Sequence, residues 1–377
     1  MNCNGRVHVP NTCSGGGEDE EGQWEHARSS ITLRWKPYFQ RGLKDSKLDN
    51  HLLKWADSLP RRVMAVKKPD PTLLPAFIEL LTHLVSDLHL EVLVEINAVS
   101  ELRAAAAADE AAVSLDSVIS QLRTFVYAEF SFSDRTVDLI VCIGGDGSLL
   151  YASNLFQADV PPILAFHHHN SLGLLSPHRF ENYRADLRSV LDSRSHFIMR
   201  SRLACRLSHA NSGASDFKQV LNEVVIDRGP SGYLCIIDVL IEERTVTTVQ
   251  GDGLIVSSPT GSTAYAMAAG ANMLHPSVPA LLVAPVCPHS LSFRPVVLPA
   301  STSIKVRLAE AARGTAWVSF DGRDRQELLP GDSVSITTSE YMVPSISARS
   351  PLQDWFSGLA DCFHWNVRSV QNKQKSV

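Results

Sequence analysis

The chain has 377 residues, 44% hydrophobic and 20% charged, enough for two domains with sizeable cores. A formal net charge of -5 gives no general attraction for nucleic acid or anionic membranes, so neither is expected as a partner. Seven cysteines are scattered without metal-ligand spacing, no apolar run approaches the roughly 20 residues of a bilayer span, and the N-terminus is acid-rich, so a reduced cytosolic compartment is expected.

Residues 1 to about 30 are rich in Gly, Asn, Ser and acids, and a basic stretch follows; 1–61 reads as a largely disordered or linker extension. The pattern then sharpens. Residues 63–66 read as a strand, 71–87 as an amphipathic helix, 89–95 as a strand and 104–125 as an alanine-rich helix. A buried strand at 137–143, a helix from 148 to 156 and a strand at 162–166 complete the alternation. This order predicts an α/β nucleotide domain over 62–196, with a Rossmann-like parallel sheet. From 197 to 350 short alternating runs dominate, separated by Asp227-Arg228-Gly229-Pro230, Asp321-Gly322-Arg323 and Pro330-Gly331-Asp332. They predict a β-rich, sandwich-like domain with one strand spanning 220–226. Residues 351–377 read as a C-terminal helix, helical from 354 to 367, packing back on the first domain, plus a tail.

Three motifs carry chemistry. The strand at 137–143 runs into Gly144-Gly145-Asp146-Gly147-Ser148, where glycines permit a tight turn and close approach to a phosphate. The turn lies beyond a strand's carboxyl end and before a helix, where ligands of open α/β sheets bind. Asp146 is placed to accept a proton from an attacking hydroxyl, although the same residues also suit a plain strand-to-helix turn with Asp as N-cap. Asn222-Glu223 ends an apolar run with amide and carboxylate groups that suit ribose hydroxyls; an ordinary polar turn reads the same way. The third motif, residues 251–265 from Gly251-Asp252-Gly253 to Thr260-Gly261-Ser262-Thr263-Ala264-Tyr265, offers small side chains and hydroxyls to a ligand, or close packing to its neighbours. No P-loop, Gly-x-Gly-x-x-Gly fingerprint or protein-kinase signature is present. His289, amid Pro and Ser, reads as a packed, hydrogen-bonded histidine.

In this order and spacing, with the segment 285–295, Phe320-Asp321-Gly322 and His364-Trp365-Asn366, the motifs resemble the ATP-dependent NAD kinase family over roughly 62–370, its eukaryotic cytosolic branch above all. The resemblance implies transfer of the γ-phosphoryl group of ATP to the 2′-hydroxyl of NAD's adenosine ribose. Asp146 then matches the general base, with Gly145 and Gly147 at the phosphates. Asn222 and Glu223 match ribose-binding residues, and Asp252, Thr263, Ala264 and Tyr265 the nicotinamide-side pocket. Ala268 matches a backbone contact, and Arg323 a further NAD-binding position. A divalent metal, Mg²⁺, is expected to arrive with ATP without a protein cage, and homo-oligomers are implied. Ser148 replaces the family's usual threonine, and His167-His168-His169-Asn170 replaces a glycine-containing loop beside the nucleotide pocket. That loop motivates one alternative, a nucleotide-binding protein with weak or lost catalysis. The wider Gly-Gly-Asp-Gly group supplies another, a lipid or sugar kinase.

Overall fold

Two kinds of apolar patterning produce two kinds of sheet in the computed structural model, which describes residues 35–38, 51–55, 59–108, 113–127, 137–168, 173–210, 213 and 215–365. In chain order the first sheet receives β1 (Trp35–Tyr38), β2 (His51–Trp55), β3 (Arg62–Lys67), β4 (Glu91–Glu95), β5 (Arg123–Phe125), β6 (Leu139–Gly144), β7 (Ile163–His167), β8 (His178–Arg179) and β9 (His196–Arg200). Between them run α1 (Leu74–Thr82), α2 (Ile96–Ala108), α3 (Val113–Gln121), α4 (Asp146–Leu155) and α5 (Tyr183–Leu191). Both faces of this sheet are buried. One carries Phe77, Leu102, Val141 and Leu187, the other Ile140, Cys142, Leu149 and Ala152. Double-sided burial is why β6 is apolar at every position rather than alternating.

The helix expected over 104–125 is instead two helices, beginning at Ile96, and Arg123–Phe125 pairs in parallel with β4. Its β-branched and aromatic residues favour the sheet edge once β4 offers a partner. The extension expected as linker through residue 61 supplies β2, which runs antiparallel to β9. Leu53 is fully buried there, and the Trp55 indole donates to the Val190 carbonyl at 2.9 Å, enough to anchor a short strand near the sheet's edge. Residues 1–34, 39–50 and 56–58 of that expected extension lie outside the described residues.

After Arg200 the chain enters β10 (Leu203–Ser208), β11 (Ser215–Val220), β12 (Glu223–Asp227), β13 (Cys235–Ile241), β14 (Arg244–Gly251), β15 (Gly253–Ser257), α6 (Tyr265–Ala268), β16 (Ala280–Val286), β17 (Val296–Pro299), β18 (Ile304–Leu308), β19 (Ala316–Phe320), β20 (Arg323–Leu328) and β21 (Ser333–Thr338). These form two antiparallel sheets, in orders β11-β10-β21-β18-β13-β14 and β17-β16-β15-β12-β19-β20. Leu203, Cys205 and Val334 of one share a core with Val224, Leu254 and Val318 of the other, which makes a sandwich. The strand expected over 220–226 is two strands in different sheets. Leu221 separates them, fully buried in the first domain's core with Leu149, Ala152 and Leu155. Its burial pulls the chain aside at that point and leaves Asn222-Glu223 on a bend.

The chain then returns. β22 (Val343–Ile346), buried throughout, pairs parallel to β7 and antiparallel to β9, giving the first sheet the order β1-β2-β9-β22-β7-β6-β3-β4-β5, with β8 beside β7. β9, at the expected limit of 197, and β22, within the segment expected to be β-rich, both belong to the first sheet. A change in patterning marks where sandwich strands begin, but not which apolar strands are sent back to fill another sheet. The final helix, α7 (Pro351–Phe363), starts at a Ser350 N-cap with Pro351 in its first turn and packs Gly358 against Leu174. The remainder expected after it, from Asn366, lies outside the described residues.

Candidate active site

β6 ends in Gly144 and is followed by Gly145, with φ angles of 140° and 133°, values open to glycine alone. At Gly144 a Cβ would stand 2.6 Å from Lys68 Cβ, so space as well as conformation requires glycine there. Asp146 opens α4 in its first turn, and Gly145, not Asp146, stands at the N-cap. The Asp146 carboxylate turns to another loop. Oδ1 accepts from the Leu175 amide (3.0 Å), the Ser176 amide (3.1 Å) and Ser176 Oγ (2.8 Å), and Oδ2 from the Leu174 amide (3.1 Å). Beside it Gly147 is exposed, with no atom within 4 Å of where a Cβ would stand. The start of a helix with an open approach suits an anion. Ser148 is buried and its hydroxyl donates back to the Ile143 carbonyl at 3.4 Å.

The altered histidine loop meets this site from β7. His167 Nδ1 lies 2.8 Å from the Ser176 carbonyl oxygen, which ties it to the loop holding Asp146. His169 to Leu172 lie outside the described residues. Among the described residues no three His, Cys, Asp or Glu side chains converge on one point.

The Asn222-Glu223 bend is fixed by a residue that sequence reading quoted without giving it a role. Asp321, at the turn between β19 and β20 with φ of 48°, accepts from the amides of Leu221 (2.8 Å), Asn222 (2.7 Å) and Glu223 (3.1 Å). Three successive amides aimed at one carboxylate hold the bend open, and one oxygen on each of its two side chains is left without a partner. Asn222 Oδ1, Glu223 Oε2 and Thr260 Oγ1 are buried and have no hydrogen bond. Burial pushes the Glu223 carboxyl up to about 8; the Asp321 charge adds to the rise and a hydrogen bond from the Tyr265 amide opposes it. Burial also raises Asp321, against the pull of its three amides and the Arg202 guanidinium.

The third motif closes on the second. Ser258 N and Ser257 Oγ donate to the Asn222 carbonyl at 2.8 and 3.2 Å, and Ser258 Oγ to the Leu221 carbonyl at 2.6 Å. A Cβ on Gly261 would stand 2.3 Å from the Asn222 carbonyl oxygen, so only glycine admits this approach. Thr263 is buried and donates to the Thr260 carbonyl, while Ala264, at φ -101° and ψ -129°, delivers the chain into α6. Tyr265 and Ala268 are exposed. Burial raises the Tyr265 hydroxyl's pKa, as do the nearby Asp227, Cys287, Asp252 and Glu223.

The remaining candidates stand apart. Asp252 precedes β15, whose far end Ser257 is the partner of Glu223, so about 15 Å of strand separates them. Asp252 pairs with Arg228 at 2.8 Å. The Arg323 guanidinium lies 5.3 Å from the centre of the Tyr151 ring on α4, joining the two domains. His289 is exposed on a loop rather than packed, its amide bonded to the Gln250 carbonyl.

Arg202, which sequence reading missed, is fully buried and donates to the carbonyls of Phe156 and Ala158, each at 2.6 Å, and of Tyr341 at 2.7 Å. It ties the sandwich to the end of α4, the helix that Asp146 begins. A cavity of about 420 Å³ lined by His167, Gly173, Arg179, Arg349, Asp354 and Asp361 adjoins the Asp146 loop. Volume alone does not mark a site. The bend at 222–223 is the stronger candidate because its polar atoms are buried and unpaired.

Residues 63–195 match the ATP-NAD kinase N-terminal domain model and residues 221–348 the ATP-NAD kinase C-terminal domain model. The chain is 46% identical over 256 residues to Probable NAD kinase 2, chloroplastic, of Oryza sativa subsp. japonica, a match covering 66% of this chain and 26% of that protein. It is 39% identical over 252 residues to the NAD(+) kinase of Saccharomyces cerevisiae, covering 63% of this chain and 47% of the relative. The matches thus span about a quarter to a half of these curated relatives. Among solved structures it is similar to yeast NADH kinase complexed with NADH, with a TM-score of 0.77 and 29% identity, over 87% of this chain and 95% of that one. An NAD kinase from Archaeoglobus fulgidus in complex with ATP shares the fold, with a TM-score of 0.58 and 20% identity over 80% of this chain and 99% of that one.

Proposed function

Because this chain belongs to the ATP-NAD kinase family, we propose that it transfers the γ-phosphoryl group of ATP to the 2′-hydroxyl of NAD's adenosine ribose. The observation that carries this reading is the trio of buried, unpartnered oxygens on Asn222, Glu223 and Thr260. An unsatisfied buried polar group costs roughly 1–3 kcal/mol, so three on this bend and the segment packed against it point to a polar ligand that completes them. Ribose hydroxyls and an amide have the required donors.

In this reading Asn222 and Glu223 hold the sugar hydroxyls, while Thr263, Ala264 and Tyr265 bound the rest of the dinucleotide, with Ala268 touching it through its backbone. Gly145 and Gly147 leave the α4 amides open to donor phosphates. Asp146 takes the proton of the 2′-hydroxyl. As that O–H bond breaks, the oxygen forms a bond to the γ-phosphorus. The bond from phosphorus to its bridging oxygen breaks, and the electron pair leaves with ADP. Mg²⁺ bound to the donor would neutralise phosphate charge, held by phosphate and water oxygens. Arg323 adds positive charge at the junction of the domains. Asp252 stands too far from Glu223 to share one sugar, so we place it at the far part of the dinucleotide or in a neighbouring copy's site.

A homo-oligomer is part of the same reading. The edge strand β17 leaves Val296 44% and Val297 45% exposed, with Leu291 88% exposed nearby, which supports it. The buried free thiols Cys142, Cys205 and Cys235 support a reducing, cytosolic setting.

The test is NADP formation by the full chain from ATP and Mg²⁺, with NAD and NADH offered separately, beside the variant Asp146→Asn. We expect NADP from the wild type and a fall in kcat of roughly 10²- to 10⁴-fold in the variant. No phosphorylation of either dinucleotide removes the proposal, and an unimpaired Asp146→Asn enzyme removes Asp146 as the base.

A further inference from the structure

We propose that Ser176 is the positioning residue for Asp146: its hydroxyl and amide fill one carboxylate oxygen and leave the other to meet the substrate hydroxyl. The proposal rests on the reading of Asp146 as the base and adds a residue to it. The two oxygens of Asp146 are not treated alike. Oδ1 receives three donors, two of them from Ser176, and Oδ2 receives one, from the Leu174 amide. A carboxylate oxygen has about two good acceptor sites, so Oδ1 is saturated and Oδ2 keeps one free. The asymmetry names the oxygen that takes the proton.

Ser176 is held well enough to do this. It is fully buried, and its carbonyl is fixed by His167 Nδ1 at 2.8 Å. An ionised carboxylate only accepts, so the hydroxyl donates, which fixes its rotor as well as its position. The loop is braced from behind by α7, where a Cβ on Gly358 would come within 2.8 Å of Leu174 Cδ1. The buried Arg200 of β9 and the Cys362 thiol of α7 are further titratable groups that interact with Asp146. A base held in this way reaches the transition state without losing further rotational freedom, which is where an orienting contact acts on rate.

The bland alternative is that the hydroxyl merely satisfies a buried loop. The two roles separate in kinetics. Ser176→Ala, Ser176→Thr and Ser176→Ala combined with Asp146→Asn are compared by steady-state NADP formation, with thermal melting alongside. We expect Ser176→Ala to lower kcat roughly tenfold or more, with KM for NAD and ATP within about twofold. Ser176→Thr, which keeps the hydroxyl, restores most of the rate. In the Asp146→Asn background the alanine change costs less than about twofold, because the group it orients is gone. If Ser176→Ala does not fold, Ser176→Cys, similar in size and a weaker donor, carries the same expectation. A kcat within twofold of wild type, or an equal loss in both backgrounds, overturns the proposal. A wild-type enzyme that makes no NADP overturns the functional reading before any variant is compared, so the two failures are distinct.

Discussion

Asp146 and Glu223 both stand at the ends of buried strands, and their surroundings are opposite. Asp146 is partly exposed and receives four hydrogen bonds from residues 174–176. Glu223 is 7% exposed, and its Oε2 has no partner. The protein fills all but one acceptor site of the first carboxylate and leaves an oxygen of the second with none filled. A group that must hold one orientation through a reaction is suited by the first environment. A group that must gain partners only when a ligand arrives is suited by the second, at some expense to the stability of the empty protein.

The contrast can be tested from its larger consequences to its smaller. Glu223→Ala removes the proposed sugar-binding carboxyl, and KM for NAD should rise about 10²-fold with a smaller change in kcat. Glu223→Gln separates charge from shape. A carboxyl with a pKa near 8 is mostly neutral at pH 7, so the amide should keep KM within about tenfold of wild type. The same shift sets a stability trend. The folded-state value lies above the ordinary 4.5, so this group's contribution is complete below about pH 4.5 and is lost as pH rises through 8. Melting of the ligand-free protein across pH 5 to 9 should show that decline, and Glu223→Gln should remove it, leaving the variant roughly 2–5 °C more stable at pH 9. A variant that melts below wild type at pH 9 would contradict the unfinished environment.

Asp321→Asn reaches the same bend through its support. One of the two acceptors facing the Leu221, Asn222 and Glu223 amides becomes a donor, so a loss of about 2 kcal/mol and a rise of roughly tenfold in KM for NAD are expected. Unchanged kinetics would show that the bend holds without it. Gly147→Ala is the smallest change. Nothing lies within 4 Å of the added methyl, and the residue is already helical, so stability should hold or rise by about 0.5–1 kcal/mol. KM for ATP should nevertheless increase severalfold if donor phosphates approach there. A gain in stability without that increase would move the donor elsewhere.

Much of the candidate site was legible because its candidate residues sit in contiguous stretches. Gly144-Gly145-Asp146-Gly147 declares a turn, a close approach and a carboxylate in four letters, and the structure builds a turn with those φ angles. Thr260-Gly261-Ser262-Thr263 likewise shows small residues, and Gly261 among them packs on Asn222. What escaped was non-local. Asp321 reads as one more turn residue until its carboxylate meets amides about a hundred positions earlier. Ser176 and Arg202 look like any serine and arginine, since their partners come from other segments. The division of 220–226 into two strands was hidden for a related reason. Leu221 is as apolar as its neighbours, and only the core it enters distinguishes it.

Periodicity and glycine placement, which act over a few residues, were enough to determine a parallel sheet followed by a β-rich unit and to bring forward Asp146 and Asn222-Glu223. Tertiary structure alone decided that β22 and β9 return to complete the first sheet, that Asp321 freezes the bend and that residues 174–176 enclose the Asp146 carboxylate. Strand order, and which carboxylate meets which amide, depend on contacts between residues far apart in the chain. A local pattern limits those contacts without selecting among them, because the free energy that selects them is gained only when distant surfaces leave water together.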